Sequence, residues 1–478
     1  MLSASLFRPA VGWRLCRVAG RLPSGAAVGP VCVFEWRYGS LEMRRLLSRE
    51  NLVDAMKLVE VALVEVLEEL GVAPRGVAGR VEEAAASVSA SEVYERERVT
   101  GHDVAALVEL IAERAGPEAA RWVHYGLTSN DVVDTAWALV LRDALDLLVE
   151  RLDAIVERLS RLARETRGVV MAGRTHGQHA VPITLGFKLA NYVYELARSM
   201  ERLCQLRPRL LRAKLGGAVG TMAAWGGRGL EIRRRLAEKL GLPVHPVSTQ
   251  VAPRDGLAEL ASALAILAGQ LDRLAVEVRE LARPEIGEVW EDRGGAVGSS
   301  AMPQKANPVT AERVSGLARV ARSLVHGFLE NIVLWHERDL SNSSAERVLV
   351  PHLLLTLDQM LLDTLSLLDR LRYSPERMRE NMERTMYTVL TEKLLYMLID
   401  AGLPRPEAYR LAREAARRAL EAGVPLWEAA ASMPEVASRI PAGRLREELA
   451  PERYLGQAEA LVEEAIRYAE RVRGGCGC

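Results

Sequence analysis

The sequence predicts an all-α fold: a bundle of long helices that further copies of the chain complete. Two observations lead there. Ala, Leu and Arg dominate a chain that is 49% hydrophobic but only 5% aromatic, and all three are good helix formers. Two stretches then repeat apolar residues in strict four-three alternation. The first runs through Leu141, Leu145, Leu148, Leu152, Ile155, Leu159 and Leu162. The second runs through Leu257, Leu260, Leu264, Leu267, Leu271, Leu274, Val278 and Leu281. Alanines and further leucines flank both seams, so more than one face of each helix should be buried, and neighbouring copies should supply the cover.

At 478 residues the chain is long enough for several domains and a large core. Lys+Arg and Asp+Glu both number 63, so no bulk field draws it to nucleic acid or to an anionic membrane. Charges interrupt the apolar runs, and none approaches the roughly 18 residues of a membrane span. The expectation is a soluble, cytoplasmic protein with no nucleic-acid or membrane partner.

Along the chain, residues 1–36 read as an extension. Residues 1–34 carry several arginines and no acid, which fits an organelle transit peptide or residues upstream of the true start. The stretch "FEWRYGSLEM" looks like the beginning of an ordered domain, giving an N-terminal helical domain over 37–130. The central long-helix domain spans 131–375 and includes two further helices near 309–335 and 344–372. Shorter, more mixed helices form a C-terminal domain over 376–478, ending in the tail "GGCGC". The five cysteines, Cys16, Cys32, Cys204, Cys476 and Cys478, lack paired metal-site spacing. They read as free thiols, or as a bridge from the tail to the N-terminal region in a heat-adapted organism.

Gly/Pro-rich breaks fall at "HYGLTSND" (124–131), "RTHGQHAVPIT" (174–184), "GGAVGT" (216–221), "GLPVHPVSTQVAPRD" (241–255) and "RGGAVGSSAMPQKANP" (293–308). All five are expected to be loops. The polar residues concentrate in them, which is the pattern of a rigid scaffold carrying chemistry on its loops. In the last break, Pro303 and Pro308 forbid a continuous helix, while Gly294, Gly295 and Gly298 make the preceding chain pliable. Lysine is scarce (Lys57, Lys188, Lys214, Lys239, Lys305 and Lys393), so Lys305 is unlike generic surface filler. With Asn307 it suits a carboxylate. A phosphate-binding P-loop is excluded, because Lys305 follows Gln304 and precedes Ala306. A serine in this loop could be nucleophile, base or hydrogen-bond donor, or the loop could be a polar lid.

Of eight histidines, His102, His124 and His176 lie in polar breaks, positions open to acid–base work or to structural bonding with the backbone. Thr128 and Ser129 precede a long helix, where capping and anion binding are compatible.

"GSSAMPQKANP" closely resembles the signature of the fumarase/aspartase superfamily, lyases that release fumarate by β-elimination. "HYGLTSNDVVDTA", "GRTHGQHAVPIT", "STQVAPRD" and "WHERDLSNSSAERV" follow in the matching order and spacing. The last is similar to the adenylosuccinate lyase family, since other branches lack its Ser-Ser-x-Glu-Arg ending. The likeness runs from about Arg37 through the final helices. It implies three helical domains around a bundle completed by four copies, with each site sharing loops from three of them and with His176 and Ser299 coming from different copies.

It also implies that Ser299 is the general base and His176 the general acid. Lys305, Asn307, Thr128, Ser129, Thr175 and Gln250 would hold the carboxylates. Arg37, Tyr38, Arg338, Ser343 and Arg347 would hold the nucleotide side. His102, Asp103, Ser300, Glu312 and Arg313 match further site positions, and His124 a supporting one. No metal or organic cofactor is implied. Gly101 and Gln304 depart from the usual pattern, at a substrate contact and in the signature loop. Argininosuccinate lyase, a cycloisomerase and an inactive helical scaffold are the rival readings.

Overall fold

The computed structural model describes residues 31–292, 294 and 301–475. The chain divides between Tyr38 and Gly39. In the described part of the first unit, a single turn over Val33–Glu35 leads to Arg37 and Tyr38. Phe34 and Tyr38 pair edge-on, and the Arg37 guanidinium stands 5.8 Å from both the Trp36 and the Tyr38 ring.

The second unit is overwhelmingly helical, as predicted. Helices α1 (Leu41–Leu46) and α2 (Arg49–Glu69) each start behind a serine, Ser40 and Ser48, whose hydroxyl accepts an amide of the first turn. Next come α3 (Val77–Ser87), α4 (Ala90–Thr100) and α5 (Asp103–Ala120), which pack together and on α2 around Val59, Leu63, Leu67, Leu107 and Ile111. Gly101 ends α4 at φ 67°, a left-handed cap that glycine adopts without strain. That requirement is a local reason for the glycine found there.

The bundle begins with α6 (Ser129–Glu165), continues through strands β1 (Val170–Thr175) and β2 (Gln178–Thr184), and returns along α7 (Leu185–Leu210). After α8 (Gly229–Lys239), α9 (Asp255–Leu281) runs back out. Strand β3 (Val289–Glu291) precedes α10 (Val309–Glu330) and α11 (Ser341–Asp369), and β4 (Leu371–Tyr373) pairs antiparallel with β3. Side-chain pairs fix the directions. Lys188–Glu277 and Arg209–Glu259 set α7 antiparallel to α9, while Arg322–Asp272 and Arg279–Ser315 set α9 antiparallel to α10. Consecutive long helices therefore alternate, and α6, with 37 residues, spans about 55 Å.

Every predicted seam position is buried except Leu162 and Leu257, which are half-buried near the seam ends. Four expectations need correction. The helix expected over 309–335 stops at Glu330, and the one expected near 344 starts at Ser341. Asp339 accepts the Trp335 and Ser341 amides, which closes the linking turn and launches α11 early. The break at 174–184 is half of a β-hairpin rather than a loop. Its two turn residues, His176 and Gly177, have φ 53° and 72°, the doubly positive turn that matches strand twist. Finally, α11 is long and apolar enough to cross a membrane, although 61% of its most apolar window is buried. Its apolarity is that of a bundle-core helix.

The C-terminal helices are α12 (Pro375–Arg384), α13 (Thr391–Asp400), α14 (Arg405–Ala422), α15 (Leu426–Ala431), α16 (Pro434–Ala437) and α17 (Ala442–Glu448), around their own core of Leu390, Leu394, Leu411, Leu426 and Leu445. The last helix, α18 (Ala458–Gly475), returns to the bundle, where Arg164 meets Glu463 and Arg473 meets Asp153. Cys32 is half-buried, and Cys204 on α7 is disulfide-bonded, which corrects the all-free reading. Cys16, Cys476 and Cys478, and with them the expected tail bridge, lie outside the described residues.

Candidate active site

The alternation of the long helices sorts the predicted residues between two ends of the bundle. At one end, Thr128 caps α6 and Ser129 opens it. The loop is held from beneath by Asp131, whose carboxylate accepts the Thr128 amide at 2.8 Å, the Gly216 amide at 2.7 Å and the Gly217 amide at 2.9 Å, and meets Lys214 Nζ at 2.7 Å. Asp131 and Lys214 are both fully buried. Burial pushes the Asp131 carboxyl up, against the pull of Lys214 and of the amides. Gly220, at φ 93°, closes the neighbouring loop so tightly that an added Cβ would collide with the Ser248 carbonyl.

Beside this helix start lies a cavity of about 210 Å³ lined by His102, Asp103, Ser129, Arg338, Ser343 and Arg347. Six residues predicted from separate stretches thus line one cavity. Arg338 donates to Ser343 Oγ at 2.7 Å and to Gln250 Oε1 at 3.2 Å, and Gln250 in turn donates to the Ala218 carbonyl at 3.1 Å. Arg347 meets Asp103 at 3.2 Å, and His102 Nδ1 lies 3.2 Å from the other Asp103 oxygen. Burial pulls the Arg338 guanidinium below the ordinary arginine value. The open ends of α5 and α6 face this region, so two helix N-termini add to the arginine charge.

The other end carries the acid candidate, His176, with Lys305 and Asn307. His176 sits exposed at the tip of the hairpin beside Thr175, on strands anchored by a two-pronged Arg174–Glu288 pair at 2.6 and 2.8 Å. Lys305 and Asn307 lie just before α10, with Lys305 and Gln304 exposed. Glu312 is exposed on the first turn of α10, while the neighbouring Arg313 forms a two-pronged pair with Asp363 of α11. Ser299 and Ser300 lie outside the described residues. Arg37 and Tyr38 belong to the first unit.

Comparison with known proteins bears on this arrangement. A family profile described as Lyase matches residues 40–322, and one described as adenylosuccinate lyase C-terminus matches 388–465. The chain is 42% identical to an adenylosuccinate lyase of Methanothermobacter thermautotrophicus over 449 residues, covering 93% of this chain and 99% of that protein. It is 40% identical to that of Bacillus subtilis, covering 84% and 93%. The chain belongs to the adenylosuccinate lyase family. Among solved structures, a 3-carboxy-cis,cis-muconate lactonizing enzyme from Pseudomonas putida is similar at a TM-score of 0.85 and 32% identity, covering 92% of this chain and 99% of that one. A fumarate lyase from Mesorhizobium sp. BNC1 is similar at 0.83 and 31%, covering 92% and 100%. The all-α architecture is therefore the one that lyases of this superfamily use.

For a member of the adenylosuccinate lyase family, the sequence reading missed the groups that hold the site rather than those that form it. Arg254, at 6% exposure, lines the cavity beside Glu346 and pairs with both Glu346 and Asp134. Burial works against its charge, and the two carboxylates more than restore it. Glu346 lies within the Ser-Ser-x-Glu-Arg ending, so its position was marked although its partner was not. Lys214 was marked only by the scarcity of lysine. Lys214→Met would leave Asp131 buried without its cation, an expected loss of about 3–5 kcal/mol in stability. Thermal unfolding of the variant against the parent measures it.

Proposed function

We propose that the chain is an adenylosuccinate lyase. It releases fumarate from adenylosuccinate to leave AMP, and from succinylaminoimidazole carboxamide ribotide to leave the carboxamide ribotide. One observation carries this reading: in a chain of this family, Arg338, Ser343 and Arg347 share a cavity with Ser129 and a helix start. Arginine offers a phosphate paired donors, and the helix start offers a carboxylate free amides.

In the elimination, Ser299 takes the proton from the carbon beside a succinyl carboxylate. The electrons of that C–H bond form the C=C bond, the C–N bond breaks, and His176 protonates the departing nitrogen. Proton removal adds negative charge to the carboxylate, so Lys305, Asn307, Thr128, Ser129, Thr175 and Gln250 stabilise the step by holding it. Arg37, Tyr38, Arg338, Ser343 and Arg347 hold the nucleotide. His102, Asp103, Ser300, Glu312 and Arg313 complete the lining, with His124 supporting. Serine is a weak base in water and needs a closed, positively biased site, which the glycine-hinged loop around Lys305 is suited to provide.

A proton donor must lie within hydrogen-bond reach of its substrate. Within one chain, Ser129 opens a helix about 55 Å long and His176 lies beyond its other end. This supports a homotetramer whose sites combine the two ends from different copies. The family resemblance further implies that His176 and Ser299 come from different copies. The same reading divides the chain at about 37–130, 131–375 and 376–478 and puts the enzyme in the cytoplasm.

Purified protein should release fumarate from adenylosuccinate, followed by absorbance. Release from argininosuccinate instead would overturn the assignment. Arg338→Lys keeps a charge but loses the fork, and it is expected to cost about 1.5–3 kcal/mol of nucleotide binding. That corresponds to a rise in KM of roughly 10- to 100-fold, read from initial rates.

A further inference from the structure

Under the loop that opens α6 lies a buried carboxylate that the elimination does not use. Glu60 sits on α2 with its side chain 0% exposed. Its Oε2 accepts the His124 backbone N–H at 2.9 Å, and its Oε1 meets His124 Nδ1 at 2.6 Å. Both contacts fall on a residue at φ 58°, a left-handed conformation that histidine keeps only when its surroundings hold it. An ionised carboxylate only accepts, so the hydrogen between Oε1 and Nδ1 belongs to the ring. Nε2 is the nitrogen left for another partner, and 24% of the His124 side chain remains exposed to meet one. The charges facing the ring are Glu60 from α2 and Asp131 from α6, the latter already paired with Lys214. Burial pulls the imidazole down, but the hydrogen bond and charge of Glu60, with the charge of Asp131, outweigh it and leave His124 above the ordinary histidine value.

Resting on the lyase reading of this site, we propose that Glu60 is a positioning residue that holds the Nδ1–H of a protonated His124, so that its Nε2–H donates to an anionic group of the substrate beside Thr128. Glu60 itself touches no substrate. It acts through the ring and through the backbone of the loop that carries Thr128 and Ser129.

Glu60→Gln keeps the volume and an oxygen for the His124 amide while removing the charge. With eight histidines in the chain, the Cε1–H resonance of His124 in the full enzyme can be assigned by its loss in His124→Gln. Glu60→Gln is expected to lower the titration midpoint of that resonance by about one unit or more; an unchanged midpoint would overturn the proposal. In turnover, Glu60→Gln and His124→Gln should each raise KM more than they lower kcat. The double variant should be no worse than His124→Gln alone, and additive losses would show that Glu60 does not work through the ring. Product inhibition separates the two anion sources. Weaker inhibition by fumarate assigns Nε2 to a carboxylate, weaker inhibition by AMP assigns it to the phosphate, and no change in either overturns its role toward substrate. A shifted midpoint in an enzyme inert toward adenylosuccinate would sink the substrate reading and leave the Glu60–His124 coupling standing.

Discussion

His176→Ala and Ser299→Ala are each expected to lower turnover by about 10²–10⁴-fold, the range for removing a group that moves a proton in the transition state. The expectation for His176 rests on more than its motif. The residue is exposed at the apex of a two-residue turn, at a positive φ that costs a non-glycine residue energy. Nothing in the packing of the hairpin needs an imidazole there. The strands are secured below it by Arg174 with Glu288 and by the Val170–Thr184 end of the ladder. Alanine should therefore leave the fold intact and remove only the chemistry. Binding of AMP should largely survive in both variants, because neither substitution removes an arginine that holds the nucleotide. Steady-state rates combined with AMP inhibition check both halves. Near-normal turnover in either variant would remove that residue from its role.

How much of this was legible in the sequence differs by kind of residue. The seams over 141–162 and 257–281 were legible because a helix in a bundle repeats its burial every three or four residues, and that periodicity survives in the chain itself. Of the cavity residues, Ser129 was legible in a Gly/Pro-rich break, whereas Arg338, Ser343 and Arg347 were legible only through the motif "WHERDLSNSSAERV". Glu60 was not, since it stands among apolar helix positions and its partner His124 lies far along the chain. Arg254 with Asp134 and Glu346, and Lys214 with Asp131, were hidden as pairs, because a buried ion pair exists only once segments distant in the chain are brought together. The break at 174–184 was read as a loop because its glycine and proline mask the strand alternation around them.

The central claim is that one active site draws on opposite ends of the bundle from different copies. It is tested by mixing two defective proteins. His176→Ala keeps the arginine end intact, and an Arg338→Ala, Arg347→Ala variant keeps the histidine end intact. Each alone is expected to be nearly inactive at low adenylosuccinate concentration. After dissociation and reassembly of equal amounts, random assortment gives roughly a quarter of sites both intact ends, provided the ends come from different copies. The account predicts recovery toward a quarter of the parent rate of fumarate release. Persistent inactivity in confirmed mixed assemblies would contradict it, because it would mean that one chain supplies both ends of its own site.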